Sequence, residues 1–113
     1  MSRWRWIILV VLRVFVPGYA EELERAFVAP PPSARPQVYW MVMDGHLTRE
    51  GMTADLEAMA RVGVGGAILM EVNLGIPRGP VEFMSPAWRE LIAHAVREPE
   101  RLGLELALPA GPG

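Results

Sequence analysis

Four polar side chains at the ends of two apolar runs are the candidates for chemistry. Asp44 and His46 follow the first run, and Glu71 and Asn73 close the second. If both runs are parallel strands, these side chains lie together, because the carboxyl ends of the strands share one edge of the sheet. Two carboxyl groups at adjacent strand ends can serve as a general acid and a general base. Asp44 and Glu71 are candidates for such a pair, and their spacing permits this role without selecting it.

Each candidate also has a structural interpretation. Asp44 could simply cap the turn that begins at Asp44-Gly45, and Glu71 could form an ion pair with Arg78. His46 fits a hydrogen-bonded loop residue as well as a ligand-binding residue. These alternatives remain open at the level of sequence.

The chain beyond residue 36 alternates predicted strands and helices. The strand segments are continuous apolar runs, as in strands buried on both faces. Thr48 and Ser85 are typical N-caps, and Pro99 is expected to kink or break the second helix because proline lacks the amide donor. The predicted order is strand 38–43, helix 49–62, strand 66–72, loop 73–84, helix 86–102 and strand 104–108.

A β-α-β-α-β order indicates right-handed crossovers and a parallel sheet. The fold class is therefore α/β, and residues 37–113 match the first units of an incomplete (β/α)8 barrel, since a complete barrel needs about 250 residues. A doubly wound sheet begins in the same way, and an independent three-stranded domain would be marginal at this size. In a barrel Trp40 is expected in the core rather than against a ligand.

Composition excludes several classes of protein. The chain has 113 residues, 51% of them hydrophobic, a formal net charge of −2 and a mean hydropathy of +0.21, which argues against disorder and against a nucleic-acid-binding protein. Without cysteine, disulfides and thiolate metal sites are impossible. The run Gly63-Val64-Gly65-Gly66 ends a helix and precedes a strand, the reverse of the order in a dinucleotide-binding loop.

The N-terminus has the pattern of a signal peptide. Arg3 and Arg5 precede an apolar run, and small residues suggest cleavage after Ala20, so residues 1–20 are the predicted leader and the protein is expected to be secreted or periplasmic. Arg13 interrupts the run, which is too short for a stable membrane span. An uncleaved leader and a buried helix of the mature domain are the alternatives. Residues 21–36 are predicted to be a Pro-rich lead-in, in which residues 30–36 cannot form helix or a central strand because proline lacks the amide donor.

Seven segments beyond the lead-in follow one another in an order that is shared with a known family. They are Tyr39–Met52, Asp55–Met59, Gly63–Ala67, Gly75–Pro80, Met84–Leu91, Arg101–Glu105 and Gly111–Gly113. Through these segments, about two thirds of the chain resembles the start of the bacterial α-L-rhamnosidases of glycoside hydrolase family 106.

The resemblance implies a protein of many hundreds of residues with a (β/α)8 catalytic barrel, of which this chain would be an N-terminal fragment. Family enzymes invert, and their acid and base come from later strands, so the resemblance assigns Asp44, His46, Glu71 and Asn73 to substrate contact and leaves the catalytic residues unknown. Some related enzymes use calcium beside the substrate. No cofactor and no calcium ligand can be assigned in this sequence.

The leading expectation is a fragment of a secreted glycosidase that hydrolyses terminal α-L-rhamnosyl linkages in plant glycans and is inactive alone. Its partner would be a carbohydrate, with no nucleic acid and no stable membrane span, and its unpaired sheet edge would favour self-association. A small secreted carbohydrate-binding or interaction module and an enzyme of another barrel family are the alternatives.

Overall fold

The structure, a computed structural model, describes residues 18–109. Most of the predicted signal peptide therefore lies outside the described residues. The chain forms two compact units, Met1–Ser33 and Ala34–Gly113. None of the described helices is both long enough and apolar enough to span a bilayer.

The lead-in contains helix that the sequence analysis did not predict. Helix α1 occupies residues 18–28, and a 3-10 turn covers Pro32–Ala34. Glu21 and Arg25, one helical turn apart, form an ion pair of 3.6 Å on α1. The prediction that the proline-rich segment cannot be helical is wrong at Pro32, because the first residue of a helical turn does not need its amide donor.

The second unit contains a three-stranded sheet in the order β1-β2-β3, with both pairings parallel. In β1 and β2, Gln37 pairs with Gly66 and Met43 with Val72, while β3 pairs only with the start of β2. The predicted α/β class and parallel strand order are confirmed. The strands are β1 (Gln37–Met43), β2 (Gly66–Val72) and β3 (Glu105–Ala107).

Two capped helices connect the strands: α2 (Arg49–Arg61) and α3 (Pro86–Leu102). The Thr48 hydroxyl accepts a hydrogen bond from the Gly51 amide at 3.0 Å, and the Ser85 hydroxyl accepts one from the Trp88 amide at 3.2 Å. Both caps satisfy amides that have no partner within the helix. The N-termini of both helices are where the cap residues predict them.

Of the kink or break predicted at Pro99, the break is wrong, because α3 continues through this residue to Leu102. Pro99 stands in the last turn, so its missing N–H removes a single bond near the helix end. Its ring is buried, and its carbonyl accepts a hydrogen bond from the Leu104 amide at 2.9 Å. Gly103, with a φ of 67°, closes the helix in the left-handed conformation.

One face of the sheet packs against the helices and forms the core. Trp40 is 6% exposed, as predicted, and its indole N–H donates to the Asp55 carboxylate at 3.0 Å. Leu56 of α2 is completely buried. The buried cluster consists of Trp40, Val42, Leu47, Met52, Leu56, Ala67, Leu69, Ala95 and Leu104.

The opposite face of the sheet is open. Along β1, Tyr39, Met41 and Met43 alternate with the core residues and are 64%, 48% and 43% exposed. Met70 is the register partner of Met41 and lies on the same face. This apolar surface, together with the free edge of β1, is uncovered in the described part of the chain.

Polar contacts join α2 to α3 at the protein surface. The Thr53 hydroxyl and the His94 Nε2 lie 2.8 Å apart, and Arg101 reaches Glu57 at 2.9 Å and Glu98 at 2.7 Å. The hydrogen bond from Arg101 lowers the pKa of Glu98. The stabilisation from this contact is therefore present at neutral pH and is lost as the pH falls through the lowered pKa.

Leu56 is expected to be a main determinant of stability. Leu56→Ala removes a fully buried side chain and should lower the free energy of unfolding by about 2 to 5 kcal/mol. Leu74→Ala makes the same change at a residue that is 80% exposed and should alter stability by less than about 0.5 kcal/mol. The urea midpoints of both variants and of the unchanged chain, measured at one protein concentration because the chain is expected to self-associate, compare the two effects. Equal shifts would contradict the core described above.

Candidate functional site

The candidate site lies where β1 and β2 end. Two loops form this rim, the β1–α2 loop (residues 44–48) and the β2–α3 loop (residues 73–85). In parallel α/β folds, the loops that follow the strand ends carry the ligand-binding groups. All four residues predicted for substrate contact lie in or beside these loops.

Backbone hydrogen bonds join the two loops directly. The Gly79 amide donates to the Asp44 carbonyl at 2.7 Å, and the Val81 amide donates to the Gly45 carbonyl at 3.2 Å. The Asp44 amide in turn donates to the Val72 carbonyl at 2.9 Å, which extends the β1–β2 pairing into the rim. The β2–α3 loop is thereby held against the β1–α2 loop.

Two glycines make this close approach possible. A side chain on Gly79 would overlap the backbone of Gly45 and His46, and a side chain on Gly45 would overlap the Val81 carbonyl. Gly45 also has a φ of 79°, in the left-handed region that favours glycine. Sequence reasoning recognised the Asp-Gly turn but gave no signal that Gly79 packs on it.

His46 adds a side-chain link between the same loops. Its Nε2 lies 2.8 Å from the Pro77 carbonyl oxygen, and its amide donates to the Met43 carbonyl at 2.6 Å. His46 is solvent-exposed and Asp44 is half-buried. The structure thus brings Asp44 and His46 into one loop junction.

Glu71 lies on the helix side of the sheet and already has a partner. Its register neighbour is the buried Val42, and its carboxylate accepts a hydrogen bond from the Trp88 indole N–H at 2.8 Å. Phe83 packs edge-on against Trp88, with ring centroids 5.0 Å apart. Within residues 18–109 Glu71 forms no ion pair with Arg78. Its assignment to substrate contact remains a prediction.

Asn73 is exposed at the start of the β2–α3 loop, as is Arg78 farther along it. The loop ends at Met84, which has a φ of 62° although it is not a glycine. Among residues 18–109, no three His, Asp or Glu side chains are grouped closely enough to hold a metal ion.

A shallow pocket of about 210 Å³ runs along the free edge of β1. Residues 40–43 of β1, residues 46–48 of the β1–α2 loop, and Gly51, Met52 and Asp55 of α2 line it. The pocket thus occupies the side of β1 on which no strand of the described chain pairs.

Comparison with known proteins identifies relatives of this chain. The family model described as alpha-L-rhamnosidase, glycoside hydrolase family 106, matches residues 28–113. A solved rhamnosidase from Novosphingobium sp. PP1Y is similar at 45% identity and a TM-score of 0.72, over 80% of this chain and 9% of that one. A protein of Formosa agariphila named "Putative beta-glucuronidase" is 42% identical over 85 residues, which are 75% of this chain and 7% of the relative. The chain therefore spans less than a tenth of the length of either relative.

The Glu71–Trp88 hydrogen bond is expected to stabilise the rim. Glu71→Met keeps the approximate size of the side chain but leaves the indole N–H without its acceptor, and should cost about 1 to 3 kcal/mol. Glu71→Gln retains an acceptor oxygen and should recover most of this loss. The urea midpoints of both variants, measured on the full chain at one protein concentration, test the pair. If both variants lose the same stability, the negative charge of Glu71, and not the hydrogen bond, is what matters.

Proposed function

The chain belongs to glycoside hydrolase family 106, the alpha-L-rhamnosidase family, and from this membership we propose that it forms the first strands and helices of a catalytic barrel that hydrolyses terminal α-L-rhamnosyl linkages. The observation that carries this proposal is the likeness to the solved rhamnosidase, at 45% identity and a TM-score of 0.72. The chain covers 9% of the solved rhamnosidase and 7% of the other relative, as expected for one part of a larger catalytic domain.

The architecture supports a barrel start. In a (β/α)8 barrel each strand turns alternate side chains towards the helices and towards the barrel interior. The helix-facing side of β1 is buried here, while Tyr39, Met41 and Met43 form an apolar surface that further strands would cover. The pocket along the free edge of β1 is the place where the last strand would close the barrel.

In this proposal the rim contributes to sugar binding and not to bond cleavage. Asp44, His46 and Asn73 carry groups that hydrogen-bond to hydroxyls and stand at the end of the strands where barrel enzymes bind their substrates. The acid and base of the reaction would come from later strands of the barrel. Alone, the chain would be inactive.

The charge of the rim favours a neutral sugar over a uronic acid. Asp44 and Glu82 are acidic, and Arg78 is the one Lys or Arg residue of the two loops. A uronate carboxylate is recognised best by paired cationic donors, whereas a rhamnosyl group presents only hydroxyls and a methyl group. The rim therefore supports the rhamnosidase assignment over a glucuronidase.

A segment exchange tests the proposal. Residues 28–113 replace the matching segment of the Novosphingobium rhamnosidase, and turnover of an aryl α-L-rhamnoside is measured. The chimera is expected to be active, and Asp44→Asn in it should lower kcat/KM by about tenfold or more, since a hydrogen bond to a charged group contributes about 1.5 to 3 kcal/mol.

The control is Glu90→Gln, the same kind of change at an exposed carboxylate of α3 outside the rim, which should leave kcat/KM within about twofold. The full chain alone should show no turnover and should elute as assemblies larger than a monomer. A folded chimera without activity would contradict the assignment. A soluble, cooperatively melting monomer of the chain alone would favour an independent binding module.

We also propose that the leader directs export, so that the enzyme meets rhamnose-containing plant glycans outside the cytoplasm. The arginines before the apolar run and the small residues at Gly18 and Ala20 support this proposal. Expression of the full chain in a bacterial host, followed by N-terminal sequencing of the periplasmic protein, should give Glu21 as the first residue. Retention of Met1 in a cytoplasmic product would contradict it.

A further inference from the structure

The hydrogen bond of His46 determines the tautomer of its imidazole. A backbone carbonyl oxygen can only accept a hydrogen bond, so the Nε2 atom 2.8 Å from the Pro77 oxygen must carry the proton. In the neutral ring the Nδ1 atom is then an acceptor with a free lone pair. Within residues 18–109, no hydrogen bond to Nδ1 is formed.

This bond is one of three that cross between the rim loops. The other two are the backbone bonds from Gly79 to Asp44 and from Val81 to Gly45. Among the described residues, His46 forms the one of these three hydrogen bonds that involves a side chain. Because its acceptor, Pro77, lies two residues before Gly79, the imidazole holds the part of the β2–α3 loop that leads into the glycine contact.

We propose that His46 is a positioning residue that holds the β2–α3 loop against Asp44 through its Nε2–H and thereby offers only its Nδ1 lone pair to a ligand. The complementary ligand group is a hydrogen-bond donor, such as a sugar hydroxyl, and not a carboxylate. The inference has a positioning half, in which the imidazole holds the loop, and a ligand half, in which Nδ1 accepts a hydrogen bond from a ligand. The ligand half rests on the proposed function, whereas the positioning half does not.

Two substitutions in the chimera separate the halves. His46→Gln keeps an N–H near the position of Nε2 but has no acceptor at the position of Nδ1, and His46→Phe keeps a ring but has neither group. Hydrogen exchange of the peptide containing residues 73–85 reports loop order. His46→Phe should speed exchange at Gly79 and Val81, and His46→Gln should restore protection.

Kinetics test the ligand half. His46→Gln should raise KM for an aryl α-L-rhamnoside by about threefold to tenfold with kcat little changed, since one neutral hydrogen bond is lost. His46→Phe should lower kcat as well, because it also releases the loop. A merely structural role would leave the KM of the protected His46→Gln variant unchanged.

The tautomer has its own spectroscopic signature. Nitrogen-15 spectra of the labelled chimera assign the His46 ring signals as those that its His46→Gln variant lacks. The expected pattern is a protonated Nε2 and an unprotonated Nδ1. The opposite tautomer, or unchanged exchange in His46→Phe, would overturn the inference. If exchange behaves as expected but the chimera does not turn over the rhamnoside, the positioning half stands while the ligand half and the proposed function fail.

Discussion

The parallel pairing of β1 with β2 is the constraint on which the rest of the unit depends. Its register puts Trp40 beside Leu69 and Val42 beside Glu71 on one face, so a single apolar surface is available to both helices. The same register continues through the Asp44 amide into the rim. A slip of one residue would turn the core side chains of β1 to the open face and would separate the loops. Core and rim are therefore specified by the same set of hydrogen bonds.

The order of strands and helices could be predicted from the sequence, because apolar runs and capping residues are local features. The apolar runs and the caps Thr48 and Ser85 located the β-α-β-α-β pattern within one or two residues at most boundaries. Pro99 was misjudged because its cost depends on how close it lies to the helix end and on the packing of its ring. Helix α1 was missed because the prolines after it dominated the interpretation of a segment with good helix formers.

The candidate site was less accessible to sequence reasoning, since its geometry depends on contacts between distant segments. That Asp44 and His46 share a junction with residues 77–81 follows from the fit of two glycines, which no periodicity reveals. The direction of Glu71 follows from strand alternation once the buried face is known, but its partner Trp88 is set by the position of α3. Residue types were enough to name the candidate site residues, whereas the contacts of those residues could be known only from the fold.

The rim is built mainly from backbone contacts, which has a consequence for specificity. Gly45 and Gly79 permit loops to touch without side chains between them, so the junction tolerates little change at these positions but leaves Asp44, Asn73 and Arg78 free to vary in their contacts with a ligand. A rigid scaffold that carries adaptable side chains lets related enzymes differ in the sugar that they accept. The names of the two relatives, a rhamnosidase and a putative beta-glucuronidase, are consistent with such variation on a common start of the fold. The two rim loops of this chain carry Asp44, Glu82 and Arg78 and no cluster of Lys and Arg residues, and the proposal of a neutral sugar rests on this pattern of charge.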